Sequence, residues 1–293
     1  MADAMPRQCT SNWPRLLIAS NVWHEGSAPR NNRLYVLDAI NLIWRLSVLA
    51  KLAVAVSLLL RGLGGEYPAL LTACCVLAVK STLLMISYVP SMSHYHMREV
   101  ATHLNPVEWV VNSWVVFELF SRWSRSYKGI GRFGKLLLAV LLAVGLAISM
   151  AFWPMEWKAL VFAQNFRVYY ILDRVVWVTL ALFVLGMWLF FRNYPVVVAP
   201  NVTRHAYIAL LYFLPNALSY LMFTLYGKAV VAQINLAIVI STTASFCAWA
   251  VLLTRKGQII PEVQRVSAED RERIERINQE LLVFMGDFPK NNR

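Results

Sequence analysis

Ionisable and amide side chains occur inside long apolar stretches of this sequence. Lys80 lies in the middle of one apolar run, and Glu108 and Asn112 stand one helical turn apart in the next. A charged group at the centre of a membrane helix costs at least about 2.5–3.5 kcal/mol, and such groups usually face the interior of a bundle. The set with this property is Arg45, Lys80, Glu108, Asn112, Asp173, Arg174 and Asn216. Residues of these types recognise a charged ligand or pair with one another.

The charges of this set do not balance at one depth. Four cations, Arg45, Lys51, Lys80 and Arg174, fall in the first, second and fifth apolar runs, whereas only Glu108 and Asp173 oppose them there. Glu118 lies about 15 Å further along its helix at a rise of 1.5 Å per residue. The surplus predicts a polar cavity in the outer half of the bundle for a small anionic or zwitterionic ligand. The alternative is an internal network, with Glu108 paired to Arg174 and Asp173 to Lys80 or Arg45, that binds nothing.

A second group of residues has types that bind metals. His94, His96, Glu99 and His103 fall in the segment 92–103, which is predicted to be a connecting loop. On a helix, His96, Glu99 and His103 would share a face and could offer two imidazoles and a carboxylate to zinc. The spacing matches no recognised zinc motif, and we expect solvated side chains, with no metal and no cofactor.

The elements that must position these residues are membrane helices. Of the 293 residues, 58% are hydrophobic and 15% are charged, where a soluble chain carries about 25% charged residues. The formal charge of +12 is spread over short gaps between apolar runs and forms no single basic face, which argues against a nucleic-acid partner. A bilayer about 30 Å thick needs about 20 residues of helix per crossing. The fold class predicted is an all-α transmembrane bundle of about seven spans.

The predicted spans cover residues 36–60, 67–90, 104–121, 134–153, 168–191, 205–226 and 229–253. The first contains Asp38, Arg45 and Lys51, so a six-span chain with this segment lying in the interface is the alternative. The short connections on one side carry ten Lys and Arg residues against six on the other. Because basic loops stay in the cytoplasm, the tail 1–35 is expected outside and the tail 254–293 inside the cell membrane.

The tail 254–293 is predicted to hold one amphipathic cytoplasmic helix. Ser267 and Asp270 form a helix start, and Ile274, Ile277 and Leu281 recur on one face before Gly286. The opposite face mixes acidic and basic residues. We expect the helix to fold back on the bundle, with docking of a protein partner as the alternative.

Several motifs resemble those of a group of bacterial seven-helix membrane proteins with no assigned activity. They are YPALL with Lys80 in the second span, NPVEWVVNSWVVFELF with Glu108 and Glu118, LDRVVW with Asp173 and Arg174, and RHAYIALLYF. The similarity covers residues 66–257. It implies a seven-helix bundle in a bacterial inner membrane that keeps these five positions polar, and it implies no activity. The N-terminal tail and the charged first span depart from the pattern.

Among function classes, a receptor or sensor fits best, because an outer polar set and a cytoplasmic helix occur in one chain. A small-molecule transporter is the second candidate, although internal repeats are not visible and only Pro215 and Gly186 interrupt the spans. A membrane scaffold is a third. An enzyme is not expected, because only the histidine group approaches a catalytic ligand set. Oligomeric state is not predicted.

Overall fold

The protein is described by a computed structural model over residues 30–87, 94–124, 128–151, 167–193, 198–226, 231–259 and 268–284. Most of these residues are helical, and no strand occurs among them. The helices are α1 (Arg30–Leu60), α2 (Pro68–Ser87), α3 (His94–Trp123), α4 (Lys128–Ala151), α5 (Arg167–Asn193), α6 (Pro200–Tyr226), α7 (Val231–Leu252) and α8 (Ala268–Phe284), with a 3₁₀ turn at Arg255–Gln258 between α7 and α8.

Helix α3 begins ten residues before the predicted span. The segment 92–103 was predicted as a loop, and this is wrong from His94 onward, because the helix runs through Asn105 and Pro106 to Trp123. Proline removes one backbone hydrogen bond, which neighbouring helices and polar side chains compensate in membrane bundles. The sequence Asn-Pro is typical of a helix start, so its position inside a helix was not visible.

Six of the helices form a closed ring around the core. Helix α1 packs against α2 and α7, α2 packs against α3, and α5, α6 and α7 follow side by side. Helix α3 contacts both α5 and α6, which places it at the centre of one wall. Helix α4 packs on the outer side of α5 with a smaller contact to α3, and α8 packs against α4.

Four of the described helices are long and apolar enough to cross a membrane. The segments are Leu42–Leu60, Pro68–Met85, Ile171–Leu189 and Gln233–Leu252, and Leu136–Ile148 of α4 is a shorter apolar segment. The first predicted span, despite its charges, is therefore among the helices with the composition of a span. Helices α3 and α6 are less apolar because each carries buried polar residues, Asn105, Glu108 and Asn112 in α3 and His205 and Asn216 in α6.

The surface of the bundle is apolar on the faces that point away from the core. Val110 and Phe117 of α3, Leu211 of α6 and Val140 of α4 are exposed, while the charged Glu108 is buried. A soluble protein rarely exposes a continuous apolar face of this kind. The chain therefore has the composition and the surface of a membrane protein.

A glycine turn connects α1 to α2. Gly62 has a φ of 66°, and two hydrogen bonds close the helix end, from Leu63 N to Leu58 O at 2.8 Å and from Gly62 N to Leu59 O at 3.0 Å. This pair of bonds defines a Schellman motif, in which glycine takes the left-handed position without steric cost. The turn places Glu66 and Tyr67 beside the end of α3.

Candidate functional site

Lys80 of α2 joins α3 through two polar contacts. Its ammonium forms an ion pair with Glu108 and donates a hydrogen bond to Asn105 Oδ1 at 2.7 Å. Asn105 and Glu108 are three residues apart, so they lie on the same face of α3. Two of the predicted site residues, Lys80 and Glu108, are therefore in direct contact.

Asp173 of α5 accepts hydrogen bonds from several neutral donors. Trp109 Nε1 and Tyr220 OH each donate at 2.6 Å, Trp177 Nε1 donates at 3.2 Å, and Asn105 Nδ2 donates at 3.4 Å. Together they bring α3, α5 and α6 to one carboxylate. The predicted alternative paired Asp173 with Lys80 or Arg45, but in the described part of the chain its donors are uncharged.

Asn105 connects these two groups into one network. Its Oδ1 accepts from Lys80 and its Nδ2 donates to Asp173. The chain of contacts thus runs from α2 through α3 to α5 and α6. We call this set, Lys80, Asn105, Glu108, Trp109, Asp173, Trp177 and Tyr220, the polar network.

Lys51 of α1 is buried beside this network with different partners. Lys51 is only 6% exposed. Its Nζ donates to Ser47 Oγ at 3.1 Å and to Ser81 Oγ at 2.8 Å. The ammonium lies 5.6 Å from the centre of the Phe246 ring. Among the described residues, no carboxylate forms an ion pair with it. Hydroxyl groups and a ring face stabilise a cation less than a carboxylate does.

The remaining predicted site residues take three kinds of position. Arg174 is fully buried next to Asp173, and Asn112 is 3% exposed with an Nδ2 that has no hydrogen-bond partner in the described residues. Asn216 is buried but donates to its own helix, at Tyr212 O, 2.7 Å away. Arg45 is exposed on α1 and lies apart from the polar network.

A second polar group occupies the opposite end of α3. Glu118 accepts hydrogen bonds from the backbone amides of Ala69 and Leu70, at 2.8 and 3.3 Å, and so caps the start of α2. Arg122 donates to Glu118 at 3.2 Å and to Glu66 at 3.0 Å. These contacts connect the α1–α2 turn to the end of α3. They satisfy the buried Glu118 carboxylate, which therefore needs no ligand.

Tyr67 links this end of the bundle to the segment after α7. Arg122 lies over its ring at 4.4 Å, and Gln258 Nε2 donates to its hydroxyl at 2.8 Å. Burial raises the pKa of the Tyr67 hydroxyl above its usual value, so the group stays neutral. The Tyr67 ring also meets His205 edge to face, with centroids 5.6 Å apart.

The predicted histidine group lies in the first turns of α3. No cluster of three or more His, Cys, Asp or Glu residues able to hold a metal is present in the part of the chain that the structure describes. His103 is exposed on α3, and the side chains of His94, His96 and Glu99 lie outside the described set. Their backbone is helical, so the spacing places His96, Glu99 and His103 on one helix face.

Comparison with known proteins adds no relative. No family model, no curated protein and no solved structure matches this chain. The function is therefore argued from the chemistry of the polar network and of Lys51.

Sequence reasoning missed the neutral members of the network. Asn105 lies seven residues before Asn112 and shares a face of α3 with Glu108, so helical spacing could have added it. Trp109, Trp177 and Tyr220 carry no local signal, because their roles depend on how α3, α5 and α6 pack.

Proposed function

We propose that the protein is a seven-span receptor or sensor of the cell membrane that binds a small anionic or zwitterionic ligand in the outer half of its bundle. Support for the seven spans comes from α3, α4 and α6. In α3 and α6, polar residues are buried while residues such as Val110 and Leu211 point outward. In α4, Val140 and Leu146 are exposed on an apolar helix. This arrangement fits helices that face lipid on one side and polar partners on the other.

The observation that carries the ligand proposal is the partnering of Lys51. Among the described residues of this half of the bundle, Lys51, Lys80 and Arg174 are the cations that are buried or nearly so, and Glu108 and Asp173 are buried carboxylates. Asp173 accepts from neutral donors and Glu108 pairs with Lys80. Lys51 is the cation whose hydrogen bonds go to hydroxyl groups, and a buried charge without a counterion is costly. An anionic ligand group would supply that counterion.

Asn112 is a second buried polar group that a ligand could satisfy. It stands one turn from Glu108 on α3, and its buried Nδ2 has no partner in the described residues. A buried polar group left unpaired costs about 1–3 kcal/mol, and such groups often belong to a ligand or an ordered water. A ligand with an acceptor group would satisfy Asn112 as well as Lys51. Arg45, exposed on α1, is not part of this refined site.

The experiment that tests the proposal measures thermal stability with added ligands. Purified protein is heated with a panel of small carboxylates, amino acids and phosphate esters, and the melting temperature is recorded. We expect at least one of these compounds to raise the melting temperature of the wild type and to have no effect on Lys51→Met. A ligand at 100 times its Kd stabilises by about 2.7 kcal/mol, which is easily measured.

Arg45→Met is the matched control, because it removes one positive charge from the same helix at an exposed position. We expect it to keep the shift. If both variants keep the shift, the ligand binds elsewhere. If no compound in the panel distinguishes the wild type from Lys51→Met, Lys51 and the polar network are structural. The scaffold alternative is then favoured.

A transporter is the second candidate, and prolines in two helices favour it. Pro106 lies inside α3 next to Asn105, and Pro215 lies inside α6 next to Asn216. Transporters commonly interrupt helices at the depth of the substrate site. Uptake of the stabilising compound into proteoliposomes, absent for Lys51→Met, would favour this function over a receptor. Binding without uptake would favour the receptor.

A further inference from the structure

A groove on the outer surface of the bundle lies between α3, α4 and α5, and no residue of the polar network lines it. Its volume is about 390 Å³, within the range of about 300–1,000 Å³ that is usual for ligand pockets. The residues that line it are almost all apolar: Ser113, Trp114, Val116, Phe117, Leu138, Leu142, Val176, Thr179, Leu180 and Phe183.

Two glycines of α4 explain why the groove exists. A Cβ atom at Gly134 would overlap the Phe120 ring of α3, and one at Gly145 would overlap the Thr179 hydroxyl of α5. Helix α4 is therefore held close to its neighbours at two points about 16 Å apart along its axis. Leu138 and Leu142 lie between these points and line the groove.

The groove opens on a part of the surface that the proposed spans would place in the hydrocarbon layer. Its α5 wall, from Val176 to Phe183, lies in the middle of the span-like segment Ile171–Leu189. Trp114, Phe117 and Leu142 of its lining are exposed on the bundle surface. Apolar cavities stay free of water, so at this depth a lipid chain is the available occupant.

Basic residues occur along the chain at the end of α3 and the start of α4, which meet at one end of the groove. Helix α3 ends just after Arg122, and Lys128, Arg132 and Lys135 occupy the first turns of α4. Lys135 precedes the groove residue Leu138 by three positions, a rise of about 4.5 Å. Basic sites at the membrane surface attract anionic lipid head groups. The order of residues along α4 therefore puts basic positions next to one end of the apolar groove.

We propose that this groove binds an acyl chain of an anionic phospholipid, with the phosphate at the basic start of α4. The lipid would fill the space that the two glycine contacts leave open. This site is separate from the proposed ligand site at Lys51, since it is formed by α3, α4 and α5 and lies on the outer surface.

The test measures lipid that remains bound during purification. Full-length protein is reconstituted with equal amounts of phosphatidylglycerol and phosphatidylcholine, extracted in mild detergent and examined by native mass spectrometry. We expect one retained phosphatidylglycerol per chain. Leu142→Trp should fill the groove and reduce retention about tenfold, because losing the burial of even two methylene groups weakens binding by about that factor.

Leu146→Trp is the matched control, since Leu146 is 49% exposed and Leu142 is 51% exposed on the same helix, but Leu146 does not line the groove. It should retain the lipid. Ser113→Phe fills the groove from the opposite wall and should act like Leu142→Trp, which keeps the test valid if one variant fails to fold. The double change Arg132→Gln and Lys135→Gln should retain both lipids equally.

Three outcomes would overturn the proposal. The first is wild-type protein that carries no lipid above the detergent background. The second is equal retention by the wild type, Leu142→Trp and Ser113→Phe. The third is a dimer that Leu142→Trp dissociates, which would show that a second copy of the chain covers the groove. A glutamine double variant that still prefers phosphatidylglycerol would overturn the assignment of the head group.

Discussion

At the scale of single residues, the polar network stabilises its two carboxylates in different ways. Glu108 pairs with the ammonium of Lys80, whereas Asp173 accepts hydrogen bonds from two indoles, a phenol and an amide. These neutral donors satisfy the carboxylate oxygens of Asp173. Asp173 therefore needs no lysine partner, and Lys51 is left with neutral partners.

Removing Lys80 alone should destabilise the protein strongly. Lys80→Met leaves Glu108 buried without its ammonium partner, and breaking a buried ion pair from one side costs about 3–5 kcal/mol. The double change Lys80→Met and Glu108→Leu should recover most of that loss, because an apolar pair carries no desolvation penalty. Denaturant unfolding in detergent measures the free energy of unfolding of the single and double variants. Equal destabilisation by the single and double variants would contradict the pairing.

The sequence could predict which residues of the network are charged but not how they are connected. Lys80, Glu108 and Asp173 stand out because ions are rare in apolar runs. Their partners follow from helix rotation and from the neighbours of α3, which composition does not encode. For the same reason Arg45 looked equivalent to Lys51, although α1 turns one outward and the other into the bundle.

At the scale of elements, α3 is the helix on which the polar contacts converge. It carries Asn105, Glu108 and Trp109 at one end and Glu118 and Arg122 at the other, and it contacts α2, α5 and α6. Hydrophobic run lengths locate apolar stretches of sequence but carry no signal for helix ends in polar sequence. They therefore missed the first turns of α3 and the role of Pro106.

The close approach of α4 and α5 predicts a specific sensitivity to side-chain size. Gly145→Val should destabilise the protein by about 1–3 kcal/mol, because its side chain would collide with Thr179 and push the two helices apart. Gly186→Val is the control, since no atom lies within 4 Å of the Cβ position at Gly186. Similar melting temperatures for the two variants would contradict the packing of α4.

The 3₁₀ turn Arg255–Gln258 should depend on the Tyr67 hydroxyl. Tyr67→Phe removes the acceptor of the Gln258 hydrogen bond, a contact worth about 0.5–1.5 kcal/mol. Hydrogen exchange at residues 255–258 should speed up by about 2- to 10-fold, while α2 is unchanged. Tyr207→Phe, at an exposed position on α6, should leave this exchange rate unaltered. Asn201 Nδ2 also donates to Thr254 O at 2.7 Å, and Gly257 N donates to Thr254 Oγ1 at 3.2 Å. A rate in Tyr67→Phe equal to that of the wild type would show that such contacts hold the turn without the Tyr67 hydroxyl.

At the scale of the whole molecule, the ring of helices is closed by α1. Ser57 Oγ donates to Ala250 O of α7 at 3.0 Å, Lys51 donates to Ser81 of α2, and Arg61 contacts the carbonyl of Leu253. These contacts run along α1 from its middle to its end. A helix lying on the membrane surface would not align with two neighbours in this way, which favours α1 as a span over the six-span alternative.

The topology of the chain separates the two alternatives directly. Reporters are placed before Met1, between residues 88 and 93, and after Arg293, and the side of each is determined in intact cells. With seven spans, the count of Lys and Arg in the connections puts the first two reporters outside and the last inside. Terminal reporters on one side, with the reporter at 88–93 on the other, would mean that α1 does not cross, and the proposed ligand site would then lose Lys51. If the reporters at 88–93 and after Arg293 share a side, an even number of helices crosses between them. In that case α4, whose apolar segment is shorter than those of the four span-like helices, would be the helix that does not cross. The groove that it forms with α3 and α5 would then not face the lipid.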